Sequence, residues 1–150
     1  MSFDRALEKA MRYCSYQERC VMDIEKRFYI WHVKKSDWDK ITDFLIDQDY
    51  LNEKRFIEAY VRGKFTIKKW GKNKIIMGLM QKNISGKKVN DIIAQEISEE
   101  EYIATINSLL IKKNRSINEP DELKKRDKLY RYLLNKGYEF ELIIKALKVI

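Results

Sequence analysis

The chain has 150 residues, 45% of them hydrophobic and 36% charged, with five Gly, one Pro and a net charge of +8. That is one or two domains with apolar material for a core and little Gly or Pro for hairpin turns, which favours long helices. No apolar run approaches a membrane span, and Asp4, Arg5, Glu8 and Lys9 interrupt any leader-like stretch, so a soluble, cytoplasmic chain is expected.

Residues 3–13 read as a short amphipathic helix with Phe3, Ala6, Leu7, Ala10 and Met11 on one face. Ser15-Tyr16-Gln17-Glu18 has capping-box spacing and predicts a following helix that buries Cys20, Ile24 and Phe28. Two cysteines make no disulfide framework, so Cys14 and Cys20 are expected as small buried hydrophobes. Phe28 to Val33 has a strand-like composition but reads as a helix end packing aromatics. Ser36 is expected to cap a third helix bearing Trp38, Ile41, Leu45 and Ile46.

Asn52 is a good N-cap for the next helix, where Phe56, Ala59, Tyr60 and Gly63 recur at i, i+3, i+4, i+7 and predict its inward side. Ile75, Ile76, Leu79 and Met80 repeat that spacing in the helix after it, which Asn83 closes in the left-handed conformation. Ser85 starts a helix through Val89, Ile92 and Ile93. Ser98 with Glu99, Glu100 and Glu101 forms another capping box, its acids placed where the helix dipole favours them, and Ile103, Ile106 and Leu110 carry that helix on. Pro120 falls in the first turn of a helix with Leu123, Leu129, Tyr130, Leu133 and Leu134 that ends at Lys136-Gly137. Phe140, Ile143, Ile144 and Leu147 make the last one.

The pattern repeats. Tyr50-Leu51-Asn52 followed by Phe56 matches Glu96-Ile97-Ser98 followed by Tyr102, and Leu79–Ile84 matches Leu133–Tyr138. The fold class expected is therefore all-α: three tandem three-helix repeats, 1–51, 52–97 and 98–150, forming an elongated, curved helical array.

Charge is distributed unevenly over these repeats. Lys54 to Lys88 holds eleven of the thirty-one basic residues against the single acid Glu58, a net of +10, and the rest of the chain nets −2. A segment of that sign attracts a polyanion or an acidic protein surface. Arg55, Arg62, Lys64, Lys68, Lys69, Trp70, Lys72, Lys74, Lys82, Lys87 and Lys88 are the candidate partner- or DNA-binding residues. Solvated lysines would explain any one of these, but not the concentration of all of them.

Catalytic chemistry finds no support. The single histidine, His32, has no neighbours at zinc-ligand or triad spacing, and packing beside Trp31 or a place at a helix end explains it. Asp37/Asp39 and Asp47/Asp49 are i,i+2 pairs that point to different sides of a helix. Neither phosphate-loop glycine motif occurs. No enzyme, metal or cofactor is expected.

From Asp49-Tyr50-Leu51-Asn52-Glu53-Lys54-Arg55-Phe56 through Ala59-Tyr60-Val61-Arg62-Gly63-Lys64 to Trp70-Gly71, Ile75, Leu79 and Lys82-Asn83-Ile84, the chain resembles the RecX family of bacterial recombination regulators. Ala10 to Glu18 looks like that family's first repeat; the last repeat is similar mostly through Leu133, Gly137 and Leu147. The resemblance implies three tandem three-helix repeats lying along the groove of a RecA filament on DNA and restraining its ATPase and strand exchange in DNA repair and recombination. It implies Arg55, Arg62, Lys64, Lys72 and Lys82 as contacts and Phe56, Tyr60, Ile75 and Leu79 as core. Asn83 stands where the family often has Gly, and both tolerate the left-handed conformation. The expected partners are the RecA filament and single- or double-stranded DNA, with no membrane, and the chain is expected to be a monomer. The alternative is a direct nucleic-acid-binding module using Trp70, Phe65 and Tyr60 for base stacking, without RecA. A scaffold for some other acidic partner is the third reading.

Overall fold

A computed structural model describes residues 1–150 as nine α-helices and no strand. These are α1 (Phe3–Tyr16), α2 (Val21–Ile30), α3 (Lys35–Asp47), α4 (Glu53–Thr66), α5 (Lys72–Met80), α6 (Lys87–Glu96), α7 (Glu99–Ser116), α8 (Glu122–Asn135) and α9 (Phe140–Leu147). The all-α helical-repeat reading holds. Two compact units are present, Met1–Ala59 and Tyr60–Ile150, with the division falling inside α4.

In the first unit α1, α2 and α3 contact one another around Ala6, Ala10, Cys14, Ile24, Phe28, Val33, Ile41, Leu45 and Leu51. Ala6 and Ala10 are fully buried, and having no bulk beyond Cβ they let the neighbouring helices approach α1 closely. Both cysteines are free and buried. Trp38 lies against Phe28 and donates its indole N–H to the Val33 carbonyl at 3.1 Å. In the second unit α7, α8 and α9 contact one another, and Phe65, Tyr102 and Tyr138 form a continuous aromatic stack with centroid spacings of 5.9 and 5.3 Å.

Five helix ends share one device. His32, Asp49, Lys69, Asn83 and Gly137 all have positive φ, and the next residue donates back to the last turn, as in Val33 N to Phe28 O, Ile84 N to Leu79 O and Tyr138 N to Leu133 O. This left-handed cap satisfies carbonyls that would otherwise lack partners, and it buries the residue that follows in Val33, Ile84 and Tyr138. Phe28–Val33 is thus the same closing motif as Leu79–Ile84 and Leu133–Tyr138, and its strand-like composition reflects a buried helix end.

Several local expectations are corrected. The helix over 3–13 runs to Tyr16, so Ser15 lies inside it and donates to the Arg12 carbonyl; the next helix is capped at Cys20, whose N–H donates to Asp23 at 3.1 Å. Ser36 lies within α3, which starts from Lys34 without a side-chain cap, and α6 starts from Gly86 at φ 101, not from Ser85. Pro120 stands just outside α8, which Asp121 caps by accepting from the Leu123 and Lys124 amides. Asn52 and Ser98 do cap their helices, accepting from Arg55 N and Glu101 N.

The inward stripe of α4 is Phe56, Ile57, Val61 and Phe65, while Ala59 is exposed and Tyr60 and Gly63 are half-buried. Ala and Gly have little side chain to bury, so the larger β-branched and aromatic residues determined which side faces in. Phe3, Ile46, Met80, Leu123, Leu134 and Phe140 are exposed rather than core, each lying off the buried side of its helix.

Candidate partner-binding surface

The central basic segment divides between the units. Arg55 lies in the first, where its guanidinium donates to Glu18 at 3.0 and 3.1 Å, to Asp49 at 2.7 Å and to the Asp49 carbonyl at 2.8 Å. The hydrogen bond to Glu18 is the main cause of its raised pKa, followed among the raising causes by Asp49. Arg55 thereby ties the α1–α2 loop to the α3–α4 loop within its own unit, which leaves little of its fork for a partner.

The other ten candidates lie in the second unit, and its core positions them. Residues 67–71, between α4 and α5, form the turn that carries Lys68, Lys69 and Trp70. From beneath, Tyr138 donates its hydroxyl to the Lys69 carbonyl at 2.7 Å, and the Lys72 N–H donates to the Tyr102 hydroxyl at 2.9 Å while that hydroxyl donates to Glu139. Burial, and for Tyr102 the Glu139 contact, push both phenols well above the usual tyrosine range. From the side, Gly71 N donates to Lys136 O at 2.7 Å and Asn73 N to Gly137 O at 3.0 Å. A Cβ on Gly71 would sit 2.4 Å from Gly137 and Tyr138 backbone atoms, and one on Gly137 would sit 2.4 Å from the Lys74 Cβ, so only two glycines allow this approach.

On that support Trp70 carries Lys64 and Lys74, each ammonium 4.8 Å from its ring centroid, and Lys64 also lies 5.3 Å from Tyr60. Burial raises the Tyr60 pKa and the Lys82 charge opposes the rise, placing Lys82 in the same neighbourhood. Lys72 sits 4.5 Å over Tyr102. Arg62 pairs at 2.7 Å with Glu96, whose side chain is only 11% exposed, and Lys87 pairs with Asp91 at 2.8 Å on the surface. Phe65 is 3% exposed and forms part of the aromatic stack, so it cannot receive a base.

Sequence reasoning missed Lys136. Its ammonium donates to the Lys68 carbonyl at 3.0 Å, and burial first, then the Lys74 charge, lower its pKa. It also missed a shallow cavity of about 390 Å³ lined by Lys113, Lys128, Arg131 and Tyr132 among others, where Lys113 sits 4.8 Å over Tyr132. These residues lie between twenty-five and forty-eight positions beyond the charged segment, and the loop-to-loop contact at Gly71 and Gly137 brings Lys136 beside it.

Helix dipoles make the charge placement informative. Seven helices carry an acid in the first turn, as expected: Asp4, Asp23, Asp37, Glu53, Glu99–Glu101, Glu122 and Glu141. Only α5 and α6 have none, and they begin instead with Lys72 and Lys74, and with Lys87 and Lys88. Cations at a positive helix end weaken the helix, so local stability is lowered where the basic residues gather.

No group of three or more His, Cys, Asp or Glu side chains is placed to hold a metal ion, and no helix is long and apolar enough to cross a membrane. The molecule is a tandem helical-repeat protein in which lysines gather around Trp70. The family model for the second three-helix domain of RecX matches residues 52–91, and that for the third matches 99–147. "Regulatory protein RecX" of Clostridium botulinum (strain Eklund 17B / Type B) is 35% identical over 125 residues, covering 78% of this chain and 56% of that protein. The Clostridium acetobutylicum protein of the same name is 32% identical over 115 residues, covering 75% and 53%. The chain therefore spans about half the length of these curated relatives. The crystal structure of RecX from Lactobacillus salivarius superposes with a TM-score of 0.83 at 22% identity over 98% of this chain and 95% of that one, and shows the same fold. A second crystal structure of regulatory protein RecX gives 0.87 at 22% identity, over 97% and 73%. This chain belongs to the RecX family.

Proposed function

We propose that this chain is a non-enzymatic regulator of the RecA recombinase that binds the groove of the RecA–DNA filament and restrains ATP hydrolysis and strand exchange. The observation that carries this reading is the Lys64–Trp70–Lys74 cluster, set on a turn braced from two sides in a member of the RecX family. Arg62, Lys64, Lys68, Lys69, Trp70, Lys72, Lys74, Lys82, Lys87 and Lys88 make the contact surface, and Lys136 joins it. Arg55 serves the fold of its own unit instead. The repeats 1–51, 52–97 and 98–150 act together as one cytoplasmic monomer without a cofactor.

The test is a titration of this protein into RecA hydrolysing ATP on single-stranded DNA, with co-sedimentation of the filament. Restraint at substoichiometric amounts together with co-sedimentation supports the reading. Tight, steeply salt-dependent binding to bare DNA with no effect on RecA would favour the direct nucleic-acid module instead.

A further inference from the structure

Net charge hides a second basic cluster, in the first unit, outside the segment that holds the positive excess. Arg5, Lys9 and Arg12 follow at i, i+4, i+7 on α1, so they share one side and span about 10 Å along the axis at 1.5 Å per residue. Glu8 lies among them, and its 3.5 Å pair with Arg12 is largely exposed and weak. Beside these cations is a cavity of about 160 Å³ lined by Lys9, Arg12, Tyr13, Tyr16 and Trp31. Tyr13 and Trp31 meet edge to face at 6.2 Å, and Lys9 sits 4.7 Å over the Trp31 ring. Arg19 lies 3.7 Å and Arg27 4.9 Å from the Tyr13 centroid, and Arg19 is fixed by its hydrogen bond to the Tyr13 carbonyl. Tyr16 is 77% exposed at the edge, an aromatic ring the core does not use.

We propose that this face of the first unit is a binding site for single-stranded nucleic acid. One unpaired base stacks on the exposed Tyr16 ring at the mouth of the cavity, whose inner rings Trp31 and Tyr13 already carry Lys9, Arg19 and Arg27, and the adjoining phosphates lie on Arg12, Lys9 and Arg5. Cations spaced along a helix follow a backbone rather than converge on one anion, and a ring-lined cavity beside them gives a flat base a stacking surface. An acidic peptide would use the cations and leave the rings idle. A duplex keeps its bases stacked inside, away from the cavity.

The experiment uses the full chain without RecA, so its outcome is independent of the filament reading. Binding of a fluorescein-labelled oligothymidylate is followed by anisotropy across a salt series. Comparators are an abasic strand of equal length, a duplex and a poly-glutamate peptide. Tyr16→Ala should weaken oligothymidylate binding by roughly tenfold, within the range for losing one stacked base, while the abasic strand binds both proteins equally. Lys9→Ala with Arg12→Ala should lower the slope of log K against log salt by about 1.4, from two lost phosphate contacts at about 0.7 each. The Tyr16 effect should persist when Lys64 and Lys74 are reversed to Glu, which separates this face from the one in the second unit. Unchanged affinity in Tyr16→Ala, an abasic strand bound as tightly as oligothymidylate, displacement by poly-glutamate at equal concentration, or no binding at all would overturn the proposal.

Discussion

Replacing Gly71 with alanine tests whether the two loops of the second unit interlock. Gly71 has an ordinary φ of −77°, so alanine there carries no backbone strain. The cost is contact: its Cβ would lie 2.4 Å from Gly137 C, Gly137 O and Tyr138 N, backbone atoms that cannot swing aside. Separating the loops breaks Gly71 N to Lys136 O, Asn73 N to Gly137 O and the Tyr138 hydroxyl to Lys69 O. At about 1 kcal/mol each, with overpacking of similar size where the loops yield only partly, the loss is about 3 kcal/mol. Two internal controls calibrate it. Gly86 has open space around its Cβ but φ 101 and ψ −167, a region essentially reserved for glycine, so Gly86→Ala should cost backbone strain alone, about 1–3 kcal/mol. Gly63 is helical with nothing within 4 Å, so Gly63→Ala should stabilise by about 0.5–1 kcal/mol. Urea denaturation followed by helical circular dichroism should rank Gly63→Ala above the parent, then Gly86→Ala, with Gly71→Ala last. A Gly71→Ala protein as stable as the parent would refute the interlock and the bracing of the basic turn with it.

Three further outcomes follow from the same geometry. Arg55→Ala should lower stability by about 1 kcal/mol, discounted for its partial exposure, and Arg55→Lys should not restore it, because an ammonium cannot reproduce the two-sided fork; denaturation midpoints check this. The Cys14 thiol is pushed up to about 11 by burial, so from its ordinary value of 9.0 to 11 the unfolded chain loses a proton that the folded chain keeps. Stability should therefore fall as pH rises from 9 to 11, the buried Tyr102 and Tyr138 adding to the same trend, and Cys14→Ala should flatten the slope measured by thermal melting. Lys74→Glu places an acid in the first turn of α5 and removes the repulsion with Lys136, so it should leave the fold as stable or more stable by up to about 1 kcal/mol in the same urea assay.

Much of this molecule is legible in its sequence because its dominant signal is periodic. The caps at Asn52 and Ser98, the left-handed Asn83 and the closing Gly137 follow from residue chemistry alone. Local motifs failed where two candidates stood close together. Ser15-x-x-Glu18 matches the preferred capping pattern better than Cys20-x-x-Asp23, yet α1 continues through Ser15 and Glu18 turns to Arg55. On α4 two neighbouring stripes competed, and side-chain volume rather than polarity decided between Ala59/Gly63 and Val61/Phe65, two positions further on. Charge located the central surface, but a net sum is blind to geometry. Asp4 and Glu8 offset Arg5, Lys9 and Arg12 in the sequence, although the three cations share one side of α1 beside an aromatic cavity. Lys136 could be placed near the central lysines only through a tertiary contact between loops.

The filament reading stands on one comparison: RecA ATPase on single-stranded DNA, titrated with the parent protein and with Lys74→Glu. The parent should restrain hydrolysis at substoichiometric amounts, and the variant should lose most of that restraint while melting no earlier. A parent without effect on the ATPase, or a variant that restrains it equally well, would contradict the claim that the lysines around Trp70 are there for a partner.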